Sequence, residues 1–385
     1  MKRLLIVSFS PIYRDPRILR QITALTEEFE VTTMGWGQTP PGVKRHIELP
    51  SAEKLPLWKK AISGVRLALS SAKGKYRAWP DSKAALKWVR EHRDEFDVVF
   101  VNDVLTIPIG LETGKPVHAD IHEYALDQGK SWRWRTFVRP MLRWTASLLP
   151  QVDSVSMSSP GHSARYHDLF DFEDIIVTSS PRERPILRPT TERNDGPIRL
   201  VHLGVGVEHR SLDMPLMSVQ RANEAKPGSV ELDFYLVPGD RSYIERLKDK
   251  AGDSKITGVR FCKPVEFDEI VETLHEYDAA VVYFPPKTLS LKHTLPNKFF
   301  EAVQARIGVI IGPSDEMRPY LSEYGFGVAT PDWTQQSLDE VIQSLNWEDI
   351  NKWKIAADKA ASELGASKQN AKWVNAVKNL VSEAQ

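Results

Sequence analysis

Leu295-Pro296-Asn297-Lys298-Phe299-Phe300-Glu301 places an amide, an ammonium and a carboxylate at the point where a polar loop gives way to a helical pattern. On a helix Asn297, Lys298 and Glu301 lie three or four residues apart and share one face. Phe300 and Val303 point away from it, toward a core. The free N–H groups and partial positive charge of a helix start suit a phosphate. Lys298 adds a full charge, and Glu301, one turn further in, can accept hydrogen bonds from sugar hydroxyls. The group has the makings of a socket for a nucleotide-activated compound. The plainer alternative is a helix cap beside an ordinary surface Lys-Glu pair.

The elements around this motif alternate between strand and helix. Leu4–Val7 is a continuous apolar run, as a parallel strand buried on both faces requires. Asp15 is placed as an N-cap with Pro16 at the first helical position, and Ile18, Ile22, Leu25 and Phe29 form a helical stripe. Further strands are expected at Glu30–Met34, Asp97–Val101, Pro116–Asp120 and Val152–Met157, with a helix over Trp132–Leu149 kinked by Pro140. Ser179 to Pro197 carries four prolines, many charges and no apolar periodicity. It reads as an interdomain linker. The pattern restarts at Ile198–Leu203, which ends in Gly204-Val205-Gly206, and runs through Val230–Val237, Val259–Phe261 and Ala279–Phe284 to the opening motif and the strand at Ile307–Ile311.

The expected architecture is α/β, with two Rossmann-like doubly wound domains facing a central cleft: 1–185, with a C-terminal helix of about 366–385 packing back on it, and 186–365. In such sheets ligands bind beyond the carboxyl ends of the strands. Ser10, Asp15, Asn102, Asp103, Asp120, His122, Gly204, Arg210, His293 and Glu301 all fall there.

Composition narrows the class. The chain has 385 residues, 41% hydrophobic and 26% charged, which describes a globular protein of two domains. One cysteine excludes an internal disulfide framework and Cys-rich metal sites. No run reaches the roughly 18 apolar residues needed to span a bilayer, and a cytoplasmic location is expected. Lysines and arginines balance acids, 51 against 51, and nothing points to nucleic acid. The basic excess is local. Lys54–Arg77 holds seven basic residues and no acid, and Lys130–Arg143 holds five and no acid. Trp58, Tyr76, Trp79, Trp132, Trp134 and Trp144 lie within or beside them. Segments 54–79 and 130–144 therefore suit an anionic membrane surface, with peripheral attachment to the inner face of the plasma membrane. Two solvated helix faces are the alternative.

The chain resembles GT-B glycosyltransferases, and specifically glycosyltransferase family 4, over nearly its whole length. Ser10–Asp15 and Pro16–Gln21 are similar to the first loop and helix of many bacterial members. Asp120-Ile121-His122-Glu123 resembles their D-x-H-E, Leu200–Leu212 the start of their C-terminal domain, and Leu295–Glu301 the P-N-K-x-x-E form of the donor-binding helix. The chain also departs from the pattern. His293 stands where the first glutamate of Glu-x7-Glu belongs, the first-loop Gly-Gly is absent, and Ala305-Arg306-Ile307-Gly308 replaces Ala-Gly-x-Pro.

The resemblance implies a metal-independent transfer of a sugar from a UDP- or GDP-linked donor to a glycan or lipid-linked acceptor, with retained configuration, in cell-envelope polysaccharide or glycolipid synthesis. It implies no cofactor beyond that donor, and the sequence has no Asp-x-Asp and no His/Cys cluster at ligand spacing. It places Gly204, Gly206, Arg210, His293, Asn297, Lys298 and Glu301 on the donor, and the catalytic pair His122 and Asp120 at the reacting sugar, with Asp120 supporting the fold or orienting His122 rather than acting directly. Ser10, Tyr13, Arg14 and Asp15 are placed toward the acceptor. A sugar-nucleotide epimerase on the same fold and a non-catalytic nucleotide- or glycan-binding protein are the alternatives.

Overall fold

A computed structural model describes residues 1–50, 70–127, 129, 131–253 and 258–383. It divides into two compact units, Met1–Thr178 with Gln369–Gln385, and Ser179–Lys368.

The first unit is a seven-stranded sheet in the order β3-β2-β1-β4-β5-β6-β7. The strands are β1 Lys2–Val7, β2 Phe29–Gly35, β3 Arg45–Glu48, β4 Val98–Asn102, β5 Val117–Ile121, β6 Ser154–Met157 and β7 Ile175–Ile176. Every pairing is parallel. The apolar runs read from the sequence are buried on both faces. Leu5 and Val7 enter one core cluster with Val99 and Val101, whereas Leu4 and Ile6 enter another with Val98 and Phe100. That alternation is the strand period of two.

The second unit repeats the plan with six parallel strands in the order β10-β9-β8-β11-β12-β13. These are β8 Ile198–Gly206, β9 Val230–Pro238, β10 Val259–Cys262, β11 Ala279–Val282, β12 Gly308–Ile311 and β13 Gly327–Ala329. In each sheet the order reverses beside the first strand, between β1 and β4 and between β8 and β11. A doubly wound sheet opens its ligand crevice at such a reversal.

The C-terminal helix Ala366–Glu383 carries Trp373, Val377 and Leu380 into the core of the first unit. Trp373 is fully buried. Its ring lies edge-on to Phe100 at 6.3 Å, with the Arg17 guanidinium over it at 5.0 Å.

Two sequence expectations need correction. Ser179–Pro197 is not a free linker, because its charges find partners in the second unit. Arg184 Nε meets Glu272 Oε1 at 2.5 Å, its backbone N–H donates to Gln304 Oε1, and Lys354 Nζ donates to the Thr190 carbonyl. That unit therefore starts at Ser179, not at 186, and ends at Lys368, not at 365. The helix expected over Trp132–Leu149 is also shorter. Trp134–Val138 forms a wider, π-type turn, and an α-helix follows over Arg139–Ala146 with Pro140 in its first turn. Proline cannot supply an interior N–H but is tolerated there.

Trp373→Ala is expected to destabilise the chain by about 3–5 kcal/mol, the usual cost of emptying a buried aromatic site. Urea unfolding followed by circular dichroism would measure the loss, and a change under 1 kcal/mol would contradict this account of the core.

Candidate functional site

In the second unit β8 carries the chain to Gly204 at the sheet reversal. A short turn, Glu208–Arg210, follows, and the helix Asn297–Gln304 starts nearby. A β-carbon placed on Gly204 would lie 2.5 Å from Lys298 Nζ and 2.8 Å from Arg210 Nη1. A side chain here would push these two flexible cations aside, and at φ +154° the backbone takes a conformation that L side chains rarely adopt. Phe284 sits below them, with Lys298 Nζ at 6.0 Å and the Arg210 guanidinium at 5.9 Å from its ring centre. Burial lowers the Arg210 pKa. Burial, and then the Arg210 charge, lower that of Lys298. Glu301 is buried, and burial pushes its carboxyl upward against the pull of Lys298. Two like charges crowded at low exposure favour an anion between them.

The sequence reading missed His202. It lies on β8 and is buried. Its Nδ1 donates to the Val281 carbonyl at 2.8 Å, so Nε2 is the bare nitrogen. Burial and the Lys298 charge push its pKa down to about 3, keeping the ring neutral. Among the described residues, His202 Nε2 and Arg210 Nε are buried polar atoms without a hydrogen-bond partner. Such groups are few in native structures.

Other residues expected on the donor behave differently. Gly206 serves packing, since a β-carbon there would lie 2.6 Å from Ile244 Cδ1. Asn297 is exposed on the first residue of its helix, which Pro296 precedes as N-cap. His293 follows the short helix Leu289–Lys292, and its Nδ1 lies 3.2 Å from Oε1 of the buried Glu316. A carboxylate thus stands beside the histidine that occupies the missing glutamate's place. Nothing in residue spacing pointed to Glu316.

In the first unit, Asp120 and His122 belong to one network at the carboxyl end of β5. Asp120 is fully buried. It accepts from Arg17 Nε at 2.6 Å, Arg17 Nη2 at 2.7 Å, Gln21 Nε2 at 2.8 Å and Ser156 Oγ at 2.5 Å. His122 Nε2 lies 3.0 Å from the same carboxylate and 3.2 Å from Asn102 Oδ1. Burial alone would raise the Asp120 pKa, but the Arg17 charge and these donors hold it well below the ordinary value. With no exposed oxygen, Asp120 cannot touch a substrate. Although grouped with the catalytic residues, it orients His122, the role the sequence reading favoured for it.

The His122 side chain remains 19% exposed. Its Nδ1 faces Asp103 Oδ2 at 3.6 Å, too long for a hydrogen bond, which leaves that nitrogen available. Burial would lower the His122 pKa, yet Asp103 and Asp120 outweigh it and the value is raised. Asp103 holds φ 65° and ψ 160°, a region populated almost only by glycine. It also accepts the His122 backbone N–H at 3.0 Å. Backbone strain at a residue that tethers a titratable ring is a mark of function that periodicity cannot reveal.

The residues placed toward the acceptor divide. Tyr13 and Arg14 line a cavity of about 500 Å³. Asp15 is the N-cap read from the sequence, accepting from the backbone N–H groups of Arg17 and Ile18 at 3.2 and 3.4 Å, and it does not line the cavity, against its placement toward the acceptor. Ser10 Oγ accepts from Ser8 Oγ at 3.0 Å and does not line the cavity.

Asp103→Asn keeps a backbone acceptor but removes the charge, and is expected to lower the His122 pKa. An NMR titration of the His122 ring would read the shift, and an unchanged or higher value would show that Asp103 does not set it.

No protein-family model matches the sequence, and no match is found among curated proteins. Solved structures do match. Sucrose-phosphate synthase from Thermosynechococcus elongatus aligns over 100% of both chains at 12% identity, with a TM-score of 0.70. Anabaena Alr3699/HepE in complex with UDP and glucose aligns over 98% of this chain and 100% of its own, at 11% identity and a TM-score of 0.69. WaaG, a glycosyltransferase involved in lipopolysaccharide biosynthesis, aligns over 97% and 99%, at 14% identity and a TM-score of 0.64. Spanning nearly all of each chain, the likeness shows that this protein has the GT-B glycosyltransferase fold, built from two parallel, doubly wound α/β units.

Proposed function

We propose that the chain is a glycosyltransferase that takes its sugar from a nucleoside diphosphate donor. The convergence of Lys298 and Arg210 on Gly204, beside the unpartnered His202 Nε2 and Arg210 Nε, carries this reading. The donor's diphosphate is held by the two cations and the start of the Asn297–Gln304 helix. The same cations stabilise the charge that develops on the departing nucleotide, as preorganised donors do. Glu301 accepts hydrogen bonds from donor hydroxyls. The acceptor is held by the first unit, where His122, oriented by Asp120 and Asp103, bonds a hydroxyl of the reacting sugar or moves its proton. Configuration is retained, the leaving phosphate takes the acceptor's proton, and the cations do the work of a metal ion. The likeness in fold to a structure that holds UDP and glucose supports the choice of a UDP-linked donor.

The acceptor side of the reading is a glycan or lipid-linked molecule of the cell envelope, met at a membrane surface. Support comes from the second basic segment. Arg133, Arg135, Arg139 and Arg143 are exposed, and so is Trp132, at 67%. Of the first segment only residues 70–79 are described, and there Lys73 and Arg77 are exposed while other residues are engaged. Tyr76 is fully buried, its hydroxyl donating to the Leu105 carbonyl, and Lys75 Nζ donates to the Thr136 carbonyl. Trp79 lines the cavity. Lys54, Trp58, Lys59, Lys60, Arg66 and Lys130 lie outside the described residues. Among the described residues no helix is long and apolar enough to cross a membrane.

A thermal-shift panel of UDP- and GDP-sugars tests the donor site. A ligand at 100 times its Kd stabilises the folded state by about 2.7 kcal/mol. One UDP-sugar is expected to raise Tm by several degrees with or without EDTA, and Lys298→Ala, Arg210→Ala and Glu301→Ala should each lose most of that rise. If no nucleotide sugar shifts the wild-type chain, the proposal fails.

Flotation with phosphatidylglycerol-containing liposomes tests the surface. Binding is expected at low salt, fading as salt screens the arginines, and weakened in Arg135→Glu/Arg139→Glu. Equal flotation of that variant would remove the membrane role from the segment.

A further inference from the structure

The cation cluster of the second unit has a charge balance that turns on one proton. Lys298 Nζ and Arg210 Nη1 both lie within 2.8 Å of the point where a β-carbon of Gly204 would stand, and His202 Nε2 lies 3.6 Å from it. Glu301 is one helical turn from Lys298 and only 7% exposed. Burial pushes its carboxyl pKa up, against the pull of the Lys298 ammonium. Burial and the Arg210 charge in turn work against that ammonium. His202 is neutral, Arg210 keeps its proton near neutral pH, and the charges that His209 meets are those of Arg210 and Lys287.

The helices Ile270–His275 and Trp347–Ala360 pack against the one that carries Lys298 and Glu301. Their charged groups nearby are engaged elsewhere. Asp358 pairs with Arg306, Lys354 with Asp278, and His275 Nδ1 donates to the Ala305 carbonyl. In the preceding loop His293 pairs with Glu316. Lys298 and Glu301 therefore titrate as a pair.

Before a ligand arrives, one proton shared by the pair leaves it with no net charge, whichever member holds it. The diphosphate of a nucleotide sugar carries two negative charges. Arg210 and an ammonium at Lys298 match them. An ionised Glu301 would undo half of that match, in surroundings far less polar than water. A second proton on the pair removes the conflict. The neutral carboxyl still forms hydrogen bonds, donating through its O–H and accepting through its other oxygen.

We propose that the donor binds together with one proton, taken from solvent onto the Lys298–Glu301 pair, so that Lys298 is an ammonium and Glu301 a neutral carboxylic acid in the complex. This inference rests on the reading of Lys298 and Arg210 as the diphosphate site. The pair holds more protons in the complex than in the free protein. Donor affinity therefore falls as pH rises through the titration of the free pair, by up to about tenfold per pH unit.

The test is calorimetry of UDP-glucose or GDP-glucose binding by the full chain at pH 8, in HEPES and in Tris. These buffers differ in heat of ionisation, so the difference in binding heat counts the protons exchanged. Uptake of about 0.5–1 proton is expected, with affinity at least fivefold weaker at pH 8.5 than at pH 7. In Lys298→Arg/Glu301→Gln neither member of the pair titrates, and binding should proceed without uptake and with a flat pH profile. Uptake that persists in this variant places the proton elsewhere and overturns the proposal. Should the variant not fold or not bind, ¹³C NMR of the glutamate carboxyls decides: a Glu301 that stays ionised in the wild-type complex overturns it. Binding by the wild type without proton uptake overturns it too, and leaves the donor site standing. If no nucleotide sugar binds, the donor reading falls, and sulfate, a dianion that does not titrate in this range, is used in the same calorimetry. Proton uptake with sulfate upholds the coupling, whereas no uptake or no binding ends it.

Discussion

The first unit is organised around one buried carboxylate. Asp120 ties four stretches of chain together: the first helix through Arg17 and Gln21, β6 through Ser156, the C-terminal helix through Trp373 Nε1 at 3.3 Å, and its own strand through His122. A lone charge at zero exposure would be prohibitive, and it is tolerated because the opposing guanidinium binds it through two nitrogens and the remaining lone pairs are filled. This arrangement fixes where the histidine ring stands. A substrate contact by His122 would thus inherit its geometry from a network that substrate never touches.

The second unit follows a different logic. Its centre holds cations that are close together and two polar atoms that are left open. The first unit's carboxylate is satisfied in advance and serves shape, whereas the second unit's groups are incomplete by themselves. The second unit's cations lie by a reversal of strand order, where adjacent connections leave the sheet on opposite sides and open a crevice, whereas Asp120 sits on β5, beyond β4 from the reversal in its own sheet.

Much of this was legible in the sequence. Continuous apolar runs gave the parallel strands, Asp15-Pro16 gave a helix start, and the spacing of Lys298 and Glu301 gave a polar helix face. What escaped has a common cause. Arg17 meets Asp120 across 103 residues, and no local period encodes such a pair. His202 sits inside an apolar strand and reads as filler until its bare nitrogen is seen. Gly206 looked like a phosphate-loop glycine, though its missing side chain makes room for Ile244. Ser179–Pro197 looked like a linker because composition does not show which charges will find partners.

The return of the C-terminal helix has a practical side. Because the chain leaves the first unit at Thr178 and re-enters it at Gln369, no single cut releases that unit whole. A fragment ending at 178 would lack Trp373, Val377 and Leu380 and so one wall of its interior. The Thr178 backbone N–H donates to Gln369 Oε1 at 3.1 Å, which puts the exit and the re-entry side by side. A short splice from Thr178 to Gln369 is therefore the natural way to make an autonomous miniature of this half.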